Sequence, residues 1–144
     1  LLPIKFSRLT SDIKKNIITK KKAIEHLNSN GILITFPSGE VATSSLIFNE
    51  ANEREWKPLI GSIINKTNAD IIPVRFFGKN SLFFHTIGFI NNNLRRVLFI
   101  RELFNKKNKK FNLSIGKKIT LLQKEKLNNK QMVQKLRSIV LNIN

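Results

Sequence analysis

The chain has 144 residues, enough for one domain or part of one. It has no cysteine and only two histidines, which excludes disulfides, thiolate metal sites, a cysteine nucleophile and a histidine-rich metal site. Lys+Arg 26 against Asp+Glu 9 leaves a formal charge of +17, a balance that favours nucleic acid, anionic lipid or phosphorylated small molecules as partners.

Leu1-Leu2-Pro3-Ile4 reads as a short strand or the end of one. Thr10, Ser11 and Asp12 are residues that cap helix N-termini, and Ile13, Ile17, Ile24 and Leu27 then recur at helical spacing. The spacing predicts an amphipathic helix stopped by Gly31, with Lys14, Lys15, Lys21 and Lys22 mostly off the apolar stripe as a solvated flank. Ile32-Leu33-Ile34-Thr35-Phe36 is a β-branched apolar run that reads as a buried strand ending at Pro37. A helix follows from Trp56 to Ile64, with Trp56, Leu59, Ile60, Ile63 and Ile64 on one face. Ala69 to Phe77 is a second strand, centred on Ile71-Ile72-Pro73-Val74; a proline there suits an edge or a terminus.

Leu82–Ile90 and Leu94–Phe104 are apolar stretches predicted to be helical, the second carrying Arg95, Arg96 and Arg101. Asn105–Lys110 is a basic turn, and Phe111–Ile115 alternates like a strand that Gly116 ends. Asn128 or Asn129 caps a last helix bearing Met132, Val133, Leu136, Ile139 and Val140. Alternation of strands and helices predicts an α/β fold with a mixed, largely parallel sheet flanked by helices. Neither an internal repeat nor a second domain is visible, and no run approaches the ~18 consecutive apolar residues of a membrane span.

Several signatures fail. A phosphate loop needs an earlier Gly and a Ser or Thr directly after its Lys; Pro73 and Asn80 occupy those places around Gly78-Lys79, and Phe111 and Lys118 around Gly116-Lys117. There is no Gly-x-Ser-x-Gly and no Gly-x-Gly-x-x-Gly, and His26 and His85 lack metal-ligand spacing. What remains is the exit of the first strong strand, Phe36-Pro37-Ser38-Gly39-Glu40. Such a turn stops a strand abruptly and leaves backbone N–H groups, a hydroxyl and a carboxylate at its carboxyl end, the edge at which open α/β sheets bind ligands. Gly39 lets a ligand approach the backbone closely. An ordinary strand-to-loop turn fits the same residues.

With the blocks that follow it, this turn resembles the glycerolphosphate and lysophospholipid acyltransferase family. Phe36-Pro37-Ser38-Gly39-Glu40 is similar to the family's Phe-Pro-Glu-Gly-Thr block, and Ile72-Pro73-Val74 to its Val-Pro-Val block. Glu40-Val41-Ala42-Thr43, the Trp56 helix, Gly78-Lys79-Asn80-Ser81, Arg101-Glu102-Leu103 and Ile115-Gly116 follow in the order of the branch containing hemolysin-like and ornithine-lipid-type enzymes. The resemblance runs from about Leu1 to Ile119. It implies transfer of a fatty acyl group from acyl-CoA or acyl carrier protein to a lysophospholipid, glycerol-phosphate or related lipid acceptor, with no cofactor. Substrate would be bound by Phe36, Pro37, Ser38, Gly39, Glu40 and Pro73, with Lys5 or Arg8 standing near a phosphate-contacting position. Contact with an anionic membrane at its cytoplasmic face, peripheral or through an anchoring N-terminal segment missing from this sequence, and no nucleic acid, complete the expectation.

The sequence departs from the family where the chemistry sits. A His-x-x-x-x-Asp block, in which His takes the acceptor's proton and Asp orients it, is absent: Gly31 stands at the Asp spacing after His26, and Ile90 after His85. The expectation is therefore a single acyltransferase-like α/β domain over 1–144, truncated at its N-terminus, without turnover of its own. Ser38 also stands where the family has Glu, and Glu40 where it has Thr. A competing reading is a non-catalytic basic module for nucleic acid or anionic membrane, drawing on the charge and on Lys106, Lys107, Lys109 and Lys110 after the apolar stretch Leu94–Phe104.

Overall fold

The computed structural model describes residues 2–4, 9–42, 53–120 and 127–144. Five helices and one two-stranded ribbon are present among them: α1 Thr10–Asn28, α2 Pro58–Ile64, β1 Val74–Phe76, α3 Leu82–Ile90, α4 Asn92–Asn105, β2 Leu113–Ile115 and α5 Asn129–Leu141. The expected parallel sheet is not there. The fold is mostly helical, 50%, with 7% strand, and the only sheet among the described residues pairs β1 with β2 antiparallel. A parallel sheet needs several neighbouring strands covered on both faces. Ile32–Phe36, expected at its centre, pairs with no strand among the described residues; Ile32, Ile34 and Phe36 stand 84%, 81% and 69% exposed. Pro3 and Ile4 are likewise irregular and exposed rather than strand.

The core forms where α5 crosses α2. Ile64, Met132 and Leu136 are buried together, with Trp56, Ile60, Ile71, Ile119, Leu127 and Ile139 packed around them. Helix α5 starts cleanly because Asn128 and Gln131 close a capping box: the Gln131 amide donates to Asn128 Oδ1 (2.9 Å) and the Asn128 amide to Gln131 Oε1 (3.0 Å). Pro58 opens α2 at a position where its missing N–H costs nothing. The two helices approach closely at Gly61, where a Cβ would lie 2.2 Å from the Asn129 carbonyl oxygen. Asn65 Nδ2 donates to the Leu127 carbonyl (3.1 Å) and Asn129 Oδ1 (3.0 Å), locking the same junction.

The ribbon lies against α5. Val74 faces Ile115, Arg75 faces Ser114 and Phe76 faces Leu113, and the ladder continues through an Ile71–Ile119 bridge. Arg75 Nη1 donates to the Leu141 (2.6 Å) and Ile143 (2.9 Å) carbonyls, placing a cation at the negative end of α5. Helix α1 matches its expected span, but its N-cap is Leu9, not one of the polar residues after it. Its buried face is Thr19 and Ala23, with Ile13, Ile17 and Ile18 exposed. Thr19 Oγ1 donates to the Pro3 carbonyl (2.9 Å) and Lys20 Nζ to Ser62 Oγ (3.2 Å). The helix ends with Asn30 in the left-handed region (φ 61°), one residue before the expected Gly31, whose amide closes onto the His26 carbonyl (2.9 Å).

Candidate functional site

Two polar constellations stand out. The first is the expected turn. Pro37 fixes the backbone at its start, the Gly39 amide donates to the Phe36 carbonyl (3.0 Å), and Gly39 takes φ 65°, a conformation that suits glycine. Ser38 is buried, and its Oγ donates to the Glu40 carbonyl (2.9 Å). The Lys57 amide donates to the Pro37 carbonyl (3.0 Å), so the turn is held to the start of α2. Glu40 is gripped by Arg54 through Nε–Oε2 at 2.9 Å and Nη1–Oε1 at 3.4 Å, a two-pronged ion pair open to solvent. Beside it Trp56 Nε1 donates to Glu53 Oε2 (2.7 Å), and Arg137 Nη2 to the Glu53 carbonyl (2.7 Å). The turn thus carries an exposed phenyl ring four residues before the carboxylate of a fixed carboxylate–guanidinium pair, which suits an amphipathic ligand with an ionic head.

Of the other expected binding residues, Pro73 is buried in the ribbon; its carbonyl accepts from the Gly116 amide (2.9 Å). Lys5 and Arg8, and Thr43 of the adjoining block, lie outside the described residues.

The second constellation joins two blocks of the resemblance across the α3–α4 hairpin. Ser81 caps α3, accepting from the Phe84 amide (3.2 Å). Buried Glu102 of α4 receives the Ser81 amide at Oε2 (2.9 Å) and the Ser81 hydroxyl at Oε1 (2.5 Å). Asn105 Nδ2 donates to the same Oε1 (3.5 Å), and Lys106 donates to Asn80 Oδ1. Burial alone would raise the Glu102 pKa, but the hydroxyl and amide of Ser81, then Lys106 and Asn105, outweigh it and hold the group below its ordinary value. His85 is buried one turn on, its ring edge-on to Phe84 (centroids 5.8 Å). Burial first, then the Arg95 charge, depress its pKa against the opposing pull of Glu102, with Lys79 and Lys106 adding to the depression. A carboxylate kept ionised at a helix N-terminus anchors the hairpin electrostatically. Sequence spacing alone does not bring Ser81 to Glu102; the usable signal is Ser directly before an apolar helical run, an N-cap pattern.

No group of three or more potential metal ligands occurs among the described residues. With this geometry in view, the chain is similar to a lyso-glycine lipid O-acyltransferase of Phocaeicola vulgatus, 30% identical over 97 residues. That alignment covers 63% of this chain and 34% of the relative, so the chain spans about a third of the length of the curated protein it matches. No family model and no solved structure matches. The similarity agrees with the lipid acyltransferase resemblance carried by the Phe36–Glu40 turn and its following blocks, at the level of acyl transfer to a lipid.

Proposed function

We propose that this chain is part of an enzyme that transfers a fatty acyl group from acyl-CoA or acyl carrier protein to a hydroxyl of a lyso-lipid. The observation that supports the reading best is the similarity to a lipid O-acyltransferase in a chain that also carries Phe36-Pro37-Ser38-Gly39-Glu40 as a formed, tethered turn. In the reaction the acceptor oxygen bonds to the thioester carbonyl carbon, the carbon–sulfur bond breaks, and the thiol leaves with a proton. The residues of this chain are assigned to binding. Phe36 meets acyl or lipid chain, and Arg54, held by Glu40, faces an anionic or zwitterionic headgroup. Gly39 leaves room for a close approach to the backbone. The proton-accepting His of the resemblance has no counterpart at its spacing here, and we assign residues 1–144 alone no turnover.

The test uses the protein expressed from its native locus, supplied with labelled acyl-CoA or acyl carrier protein and a panel of lyso-lipids. O-acylated product is expected, with at least about a tenfold fall for Gly39→Val and Arg54→Gln. Absence of transfer to every hydroxyl-bearing lipid, or transfer indifferent to both variants, overturns the reading. Turnover by purified residues 1–144 overturns the assignment of those residues to binding alone.

A further inference from the structure

Helix α4 is built inside out. Among its described side chains the half-buried or buried positions are Arg95, Leu98 and Glu102, two of them charged. Arg95 lies along Gly88, whose added Cβ would sit 2.7 Å from Arg95 Cδ, and reaches the Phe84 ring at 5.8 Å. Glu102 is fixed by Ser81. At about 100° per residue, Val97, Ile100 and Phe104 fall within about 60° of one another on the side away from Arg95 and Glu102, and all three are exposed, Val97 and Phe104 by 70% or more. The helix cannot be turned to bury this face without tearing Glu102 from its donors. Arg96 and Arg101 border the apolar arc, and Arg101 lies over the exposed Phe83 ring of α3 at 4.4 Å. Lys107, Lys109 and Lys110 follow at the C-terminal end, exposed, while Lys106 is tied to Asn80.

We propose that this face of the α3–α4 hairpin docks flat on an anionic lipid bilayer. An apolar stripe rimmed by guanidinium and ammonium groups matches acyl chains below and phosphate or carboxylate headgroups at their level. With 14 residues α4 is about 21 Å long, short of the ~30 Å hydrocarbon core, and no helix among the described residues is long and apolar enough to cross a membrane. It lies in the interface. The chemistry favours lipid over nucleic acid: the arc between Arg96 and Arg101 is mainly aliphatic, Val97 and Ile100 beside Phe104, with nothing to gain against phosphates, and the exposed Phe83 ring is already covered by Arg101. The proposal stands on the geometry of α4 and is independent of the acyl-transfer reading.

Flotation of residues 1–144 with vesicles of phosphatidylcholine and phosphatidylserine, against vesicles of phosphatidylcholine alone, tests it. The chain is expected to float with the anionic vesicles only. Arg96→Gln, Lys107→Gln, Lys109→Gln and Lys110→Gln should each weaken partition about fivefold. Val97→Glu with Ile100→Glu should abolish it, and Val97→Ser with Ile100→Ser should weaken it at least about tenfold. Circular dichroism unchanged in these variants keeps the reading on the surface. Flotation indifferent to the apolar variants overturns the proposal. So does RNA binding that falls with the cation variants and ignores the apolar ones, or self-association lost in Val97→Glu without any flotation.

Discussion

The two halves of the chain solve burial in opposite ways. Around α2 and α5, apolar residues turn inward: Ile64, Met132 and Leu136 close the core and Val133 is almost wholly buried. In the α3–α4 hairpin, Phe84 is the buried apolar centre, but Glu102 and His85 are buried with it while Val97, Ile100 and Leu103 of α4 face outward. The first half is held by area removed from water, the second by one ring and a carboxylate satisfied by a helix cap. A surface that violates the usual partition while the buried Glu102 is held by its donors points to a partner outside the fold.

The largest expected effects separate these two designs. Phe84→Ala should cost about 3–5 kcal/mol, since it empties the centre of the hairpin, and Leu136→Ala about 2–5 kcal/mol in the other half. Chemical denaturation monitored by circular dichroism and by Trp56 fluorescence measures both. If the halves are distinct, Trp56, which packs against the α2–α5 core, reports Leu136→Ala more directly than Phe84→Ala. Glu102→Ala removes the acceptor of the Ser81 amide and should cost about 1–3 kcal/mol, with Glu102→Gln milder. Gly61→Ala forces a Cβ against the Asn129 carbonyl and should cost about 1–3 kcal/mol, confined to the α2–α5 junction.

Acid should strike the hairpin first. His85 has a folded pKa below its ordinary 6.5, so the unfolded chain binds the extra proton, and stability is complete above that value and falls as pH drops below it. Glu102 is also depressed, below 4.5, so its contribution is present above that pH and is lost as pH falls through the folded value. Both slopes have the same sign. Melting temperature against pH should decline in two stages, and His85→Asn should flatten the upper stage alone. The smallest effect is Leu103→Gln, which should change stability by less than about 0.5 kcal/mol, because Leu103 is 73% exposed. A large loss there would mean that the outer face of α4 is packed after all.

The helices were readable because periodicity and caps are local: the spans of α1, α2, α3, α4 and α5 lie close to the expected ones, and Asn128 caps as read. The sheet was not, because a β-branched run such as Ile32–Phe36 declares a preference for extension but does not contain its partner. The expected alternation therefore produced a parallel sheet where one antiparallel ribbon stands. At the site, the turn itself was legible from Pro37 and Gly39. Its ion pair was not, since Arg54 stands 14 residues after Glu40 in sequence. The Ser81–Glu102 contact joins two residues 21 apart in sequence and depends on how α3 folds back on α4. Spacing could order those blocks but not assemble them. Helical periodicity likewise marked Leu94–Phe104 as apolar without showing which side would face out.

That outer face is directly measurable because the chain has no cysteine. A single environment-sensitive fluorophore attached through Val97→Cys on α4, compared with one attached through Lys135→Cys on α5, would be followed as anionic vesicles are added. A blue shift and brightening at position 97, with little change at 135, is the predicted result. Equal responses at both positions, or none at 97, would contradict the account.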